Sequence, residues 1–129
     1  DDQFGIPVLI YDRTMEGLTE QGLEKFFRKM FSGKEEIERF SQNKPRRDFI
    51  SRKEELSKIR EHVFSHELSN PMPFKIAFIG ENDRIIPTQS QANFWNQKQV
   101  PLKMLPGGHF SFYQWKSYEE LIQEALLDR

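Results

Sequence analysis

The sequence predicts an α/β fold. A helical first half leads into strand, helix, strand, helix, read as parallel strands with a helical crossover in a piece whose core strands lie elsewhere. Three observations carry that expectation. Apolar side chains recur at helical spacing through the first half. From Phe74 onward the pattern changes to short apolar runs, each followed by an amphipathic segment. Strands alternating with helices call for parallel pairing through a helical crossover, yet a two-stranded parallel sheet leaves much of itself uncovered. The chain is 36% hydrophobic and 30% charged, on the polar side for a globular domain, which fits such a piece.

Residues 1–17 read as an irregular entry. Within it, Val8-Leu9-Ile10-Tyr11 is a candidate third strand. A helix is expected from Thr19, a favoured N-cap type. Leu23, Phe26, Phe27, Met30 and Phe31 fall on one face of it; they read as packing, although part of the stripe could line an acyl pocket. Gly33 is the expected stop. A short helix over 34–40 follows, with Ile37 and Phe40 inward, and Asn43-Lys44-Pro45 breaks it. A third helix is expected over 51–68, with Leu56, Ile59, Val63 and Phe64 on its inner face. Asn70-Pro71-Met72-Pro73 ends the helical half. Residues 74–79 and 100–105 are the two expected strands. Thr88-Gln89-Ser90-Gln91 and Ser117-Tyr118-Glu119-Glu120 have capping-box form and open the helix between the strands and the last helix. Leu121, Ile122, Ala125 and Leu126 of the last are expected inward.

Composition excludes several classes. A length of 129 residues suits one domain. The net charge of −1 excludes a globally basic nucleic-acid binder. The absence of cysteine excludes a disulfide framework and a thiolate zinc site. No apolar run reaches the roughly 18 residues of a membrane helix. The start is neither a signal peptide nor an initiator Met. A cytoplasmic chain cut from something longer is the expectation. Charge is uneven: residues 25–60 hold 12 basic and 6 acidic side chains, a local charge of +6. Such a segment is either a solvated helical surface or a site for an acidic partner.

Two loops stand out, each following an expected strand: Gly80-Glu81-Asn82-Asp83-Arg84-Ile85-Ile86-Pro87 and Pro106-Gly107-Gly108-His109-Phe110. In open parallel sheets, sites form at the carboxyl ends of strands. An Asp on one such loop and a His on the next can pair, the carboxylate fixing the tautomer and freeing the other ring nitrogen as a base. That is the Asp–His half of a hydrolase triad, in the chain order of α/β-hydrolases. The alternative is turn chemistry alone. No serine sits in G-x-S-x-G, and Ser111 follows His109 in the same loop, a poor position for a nucleophile. His62 and His66 are spaced i, i+4 but lack the H-E-x-x-H form, so a surface pair is the expectation and no metal or cofactor is invoked.

Asp1-Asp2-Gln3-Phe4-Gly5-Ile6-Pro7, Thr14-Met15-Glu16-Gly17-Leu18-Thr19 and Phe26-Phe27-Arg28-Lys29 resemble the middle of BioG-type esterases. Asp83 in its loop, Gln91-Ala92-Asn93-Phe94-Trp95 and Gly108-His109-Phe110-Ser111-Phe112 match the carboxyl-terminal region of that family in order and spacing. The resemblance spans essentially the whole chain. It implies an α/β-hydrolase that removes the methyl ester from pimeloyl-acyl-carrier protein in biotin synthesis. It further implies that residues 1–72 form a helical cap and residues 73–129 the end of the core. Asp83 becomes the triad acid and His109 the triad base, with the serine nucleophile in roughly 80 preceding residues. The acidic carrier protein would meet Arg28, Lys29, Arg46 and Arg47, and Phe110 would border the substrate. A carrier-binding cap and a non-catalytic fragment that self-associates through an open sheet edge are the competing expectations.

Overall fold

The computed structural model describes residues 3–65 and 73–127, with side chains given to His62 and from Pro73. Val63, Phe64, His66, Leu68 and the breaker at 70–72 therefore lie outside the described side chains.

The first helix, α1, spans Val8–Glu16. The apolar run Val8–Tyr11 is thus helical, which corrects the expectation of a third strand. Pro7 supplies a fixed φ of −53° at the N-cap, and its carbonyl accepts from the N–H of Tyr11 at 3.0 Å. Four β-prone residues with no partner strand yield to the helix-forming segment that follows them, and tertiary bonds hold the result. Tyr11 Oη donates to the Leu56 carbonyl at 2.7 Å. Asp12 accepts two bonds from Arg60, at 2.5 and 2.8 Å. Leu9 and Ile10 stay exposed.

Helix α2 spans Glu20–Lys29. Thr19 caps it as expected, its Oγ1 accepting from the Gly22 N–H at 3.0 Å. Helix α3 spans Lys34–Gln42. Gly33 is its N-cap, not the end of α2, which closes at Met30. Glu36 reaches back to the Gly33 N–H at 3.0 Å, half of a capping box. Helix α4 spans Phe49–Ser65 and starts two residues earlier than Ser51. Asp48 is the reason: Oδ1 accepts from the Ser51 N–H at 2.8 Å and Oδ2 from the Ser51 hydroxyl at 2.7 Å. Ile59 is 48% exposed, not inward.

Strand β1 spans Ala77–Gly80 and β2 spans Leu102–Leu105, paired parallel from Ala77↔Leu102 to Gly80↔Leu105. Both start later than expected. Between them α5 spans Thr88–Gln97. Its N-cap is Pro87, with no side-chain cap bond, so the expected capping box at Thr88 does not form. After a 3₁₀ turn at Phe112–Gln114, α6 spans Tyr118–Leu127. Ser117 Oγ accepts from the Glu120 N–H at 3.3 Å, while the Glu120 carboxylate takes the Lys116 N–H at 2.7 Å, a variant of the expected box. Ile122 and Leu126 are exposed, at 56% and 49%. Their apolar face, expected inward, is uncovered because among the described residues the sheet has only two strands.

The core has two parts. Leu18, Leu23, Phe31 and Phe40 are buried in the helical half, and Ala77, Ile79, Val100 and Leu105 in the sheet half. Aromatic rings join them. Phe31, 1% exposed, lies 5.1 Å from Phe40 and 5.4 Å from Phe110, and stacks on Tyr113 at 5.9 Å. None of the described helices is long and apolar enough to cross a membrane.

Candidate active site

Because β1 and β2 run parallel, the loops after Gly80 and Leu105 leave the sheet at the same end. Backbone bonds lock them together. The Glu81 N–H donates to the Leu105 carbonyl and the Asn82 N–H to the Gly107 carbonyl, both at 2.9 Å. Contact is so close that a Cβ on Gly80 would stand 2.2 Å from the Gly108 carbonyl oxygen. Gly107 adopts φ +119°, which side-chain-bearing residues rarely reach. The sequence needs glycine at these positions to bring the two loops into register.

Asp83 and His109 meet here. The Asp83 side chain is 2% exposed and the His109 side chain 33%. Asp83 Oδ1 accepts from the N–H groups of Ile85, at 2.8 Å, and Ile86, at 3.0 Å, a turn stabilised by its own Asp. Asp83 Oδ2 lies 2.8 Å from His109 Nδ1. An ionised carboxylate can only accept, so Nδ1 carries the proton, and in the neutral imidazole Nε2 then holds the lone pair. Burial pushes the Asp83 carboxyl up. The His109 hydrogen bond, the two backbone donors and the His109 charge outweigh it and hold the group below its ordinary value.

Two further side chains serve this pair, and their role was not evident from sequence. Gln91 Nε2 donates to Asp83 Oδ2 at 2.8 Å and to the Ile86 carbonyl at 2.9 Å. Thr88 Oγ1 donates to the Gly80 carbonyl at 2.9 Å. Both belong to the stretch that reads as a capping box.

The helical half reaches the same loops through the end of α2. Phe110 donates its N–H to the Met30 carbonyl at 2.9 Å, and Arg84 its guanidinium to the Phe31 carbonyl at 2.6 Å. Phe110 itself is half-buried against Phe31, Phe112 and Tyr113. Arg28 and Lys29 occupy the last turn of α2 and are exposed. Arg46 and Arg47 are exposed beyond α3, and Arg47 pairs with Glu55 at 2.7 Å. Ser111 Oγ donates to the Gly108 carbonyl at 3.3 Å, and among the described residues no serine is bonded to His109. No group of three metal-ligating side chains gathers among the described residues.

The fold and this geometry define an α/β protein with an aspartate–histidine pair at the carboxyl ends of adjacent parallel strands. The family model for "Pimeloyl-ACP methyl esterase BioG" matches residues 1–121. The chain belongs to that BioG family. It is 31% identical, over 98% of its length, to 24% of a Bacteroides fragilis protein named malonyl-[acyl-carrier protein] O-methyltransferase. It is 27% identical, over 94% of its length, to 55% of an uncharacterized Haemophilus influenzae protein. The crystal structure of BioG from Haemophilus influenzae superposes with a TM-score of 0.83 at 27% identity, covering 94% of this chain and 56% of that one. The chain thus spans about a quarter and about half of the curated relatives it matches.

Proposed function

We propose that this chain is the carboxyl-terminal part of a serine carboxylesterase of the α/β-hydrolase type that hydrolyses the methyl ester of pimeloyl-acyl-carrier protein in biotin synthesis. The observation that carries the reading is the Asp83–His109 pair: a buried carboxylate accepting from Nδ1 at 2.8 Å, with Nε2 left basic. In this reading a serine outside these 129 residues supplies the nucleophile. His109 Nε2 takes the serine proton as Oγ attacks the ester carbonyl, then returns it to the departing methoxide, releasing methanol. A water, deprotonated by the same nitrogen, cleaves the acyl-enzyme and restores the serine. Asp83 holds the ring and stabilises the imidazolium throughout.

Residues 1–72 act as the cap and 73–129 as the end of the core. Arg28, Lys29, Arg46 and Arg47 attract the acidic carrier protein, with Phe110 bordering the acyl site. The family name supports a methyl ester of a carrier-bound acyl group as substrate. So does the name of the Bacteroides relative, malonyl-[acyl-carrier protein] O-methyltransferase, which names a carrier-bound acyl group. The protein works in the cytoplasm, where carrier-bound intermediates are made.

The test is release of free pimeloyl-carrier protein by the complete polypeptide, followed by mass spectrometry. Asp83→Asn is expected to lower turnover on the order of 10⁴-fold by favouring the wrong tautomer, and His109→Ala at least as much. Parent-like turnover in either variant would remove that residue from the triad.

A further inference from the structure

We propose that Gln91 is a positioning residue for the Asp83–His109 pair, its side-chain amide holding the Asp83 carboxylate in the orientation that receives the His109 ring. This rests on the reading of Asp83 and His109 as acid and base. A primary amide has two N–H donors, and Gln91 uses both: one on Asp83 Oδ2 at 2.8 Å, the other on the Ile86 carbonyl at 2.9 Å. Oδ2 is the oxygen that also receives His109 Nδ1. Oδ1 is already occupied by the Ile85 and Ile86 N–H groups. The carboxylate thus has four donors, two on each oxygen, and its plane is fixed.

The origin of each donor matters. The two on Oδ1 come from the same loop as Asp83 and move with it. Gln91 comes from the first turn of α5, where its own N–H bonds the Pro87 carbonyl at 3.1 Å. It ties the catalytic loop to a rigid element packed on the sheet. The groups around the carboxylate are few. His109 faces it from the β2 loop. Gln91 faces it from α5 and is neutral. Arg84, its sequence neighbour, is turned to the Phe31 carbonyl.

Gln91→Met keeps the length and bulk of the side chain and removes both donors. In the complete polypeptide, ester turnover is expected to fall about tenfold through lost orientation, with KM unchanged because Gln91 touches no substrate. A second readout needs no substrate: nitrogen-15 NMR of the neutral His109 ring in parent and variant. The parent is expected to keep the proton on Nδ1. Gln91→Met frees the carboxylate to turn and should populate the other tautomer. Gln91→Glu, of nearly identical shape, sets a like charge beside Oδ2, turns the carboxylate further from the ring and serves also if Gln91→Met does not fold. The same tautomer in parent and variants overturns the proposal, whatever the activity. A changed tautomer in a polypeptide that cleaves no ester leaves the proposal standing and removes the esterase reading instead.

Discussion

The backbone N–H of Phe110 donates to the carbonyl oxygen of Met30 at 2.9 Å, joining the loop that carries His109 to the end of helix α2. The last carbonyls of a helix have no partner within it. Met30, the C-cap of α2, and Phe31, the residue after it, each receive one donor from a site loop, Phe110 on Met30 and Arg84 on Phe31. The helical half is therefore part of what holds the Asp–His pair, and Phe31 is its wedge. At 1% exposure against Phe40, Phe110 and Tyr113, its truncation to Ala is expected to cost about 3–5 kcal/mol. Urea unfolding measures the loss. A cost under about 1 kcal/mol would mean that the ring cluster collapses freely and is not a wedge.

Glycine at 80 and 108 is demanded by backbone, not by a flexible side chain. A Cβ on Gly80 would lie 2.2 Å from the Gly108 oxygen, and one on Gly108 would lie 2.6 Å from the Met30 oxygen. Gly80→Ala and Gly108→Ala are each expected to separate the loops and destabilise the fold. Gly33→Ala is the control, since its Cβ would meet only the Glu36 carboxylate, at 3.5 Å. Thermal melting of the three variants checks this: the first two should melt well below the third. Equal melting temperatures would show that the loops can part without strain.

The sequence resolved the elements whose signals are local. Thr19 as N-cap, the α2 face with Leu23 and Phe31 buried, and the parallel pairing of the two strands all follow from spacing and short-range chemistry. Tertiary bonds decided the rest. Val8–Tyr11 looks like a strand until Tyr11 and Asp12 are seen anchored to α4. Thr88 looks like a cap until its hydroxyl is found on the Gly80 carbonyl. Asp83 and His109 were legible because each follows a strand. Gln91 was not, because nothing local distinguishes an amide that caps its helix from one that reaches back to a loop.

Asp83 links the site to acid stability. Its folded carboxyl lies below the ordinary value of 3.8, so the folded state binds its proton less readily than the unfolded state. The sign follows: the contribution is fully present above the unfolded pKa and is lost as pH falls from about 4 through the lower folded value. Asp83→Asn removes this dependence. The stability gap between parent and variant is expected to be constant near neutrality and to shrink below about pH 4. Denaturant melts at a series of pH values would detect it. A gap that stays constant down to about pH 2 would show that the pair adds no acid-labile stability.

The basic segment makes the remaining prediction. Three of its cations are already paired: Lys44 with Glu24 and Arg47 with Glu55 on the surface, where such pairs add little stability, and Arg60 with Asp12 between α4 and α1. Their neutralisation leaves the excess charge to the other cations, Arg28, Lys29 and Arg46 among them. Rim charges set association rate and its salt dependence more than final affinity, and the screening length shrinks to roughly 10 Å at 0.1 M salt. Association of the complete polypeptide with an acidic carrier protein is therefore expected to slow steeply between low and physiological salt. Arg46→Glu with Arg47→Glu should lower the low-salt rate by about tenfold or more and flatten the slope, while dissociation changes less. Arg46→Glu alone separates the two positions, because Arg47→Glu also sets a like charge against Glu55. Surface plasmon resonance over a salt series gives both rates. An unchanged slope in the double variant would return this surface to ordinary solvated charge and leave recruitment of the carrier to other residues.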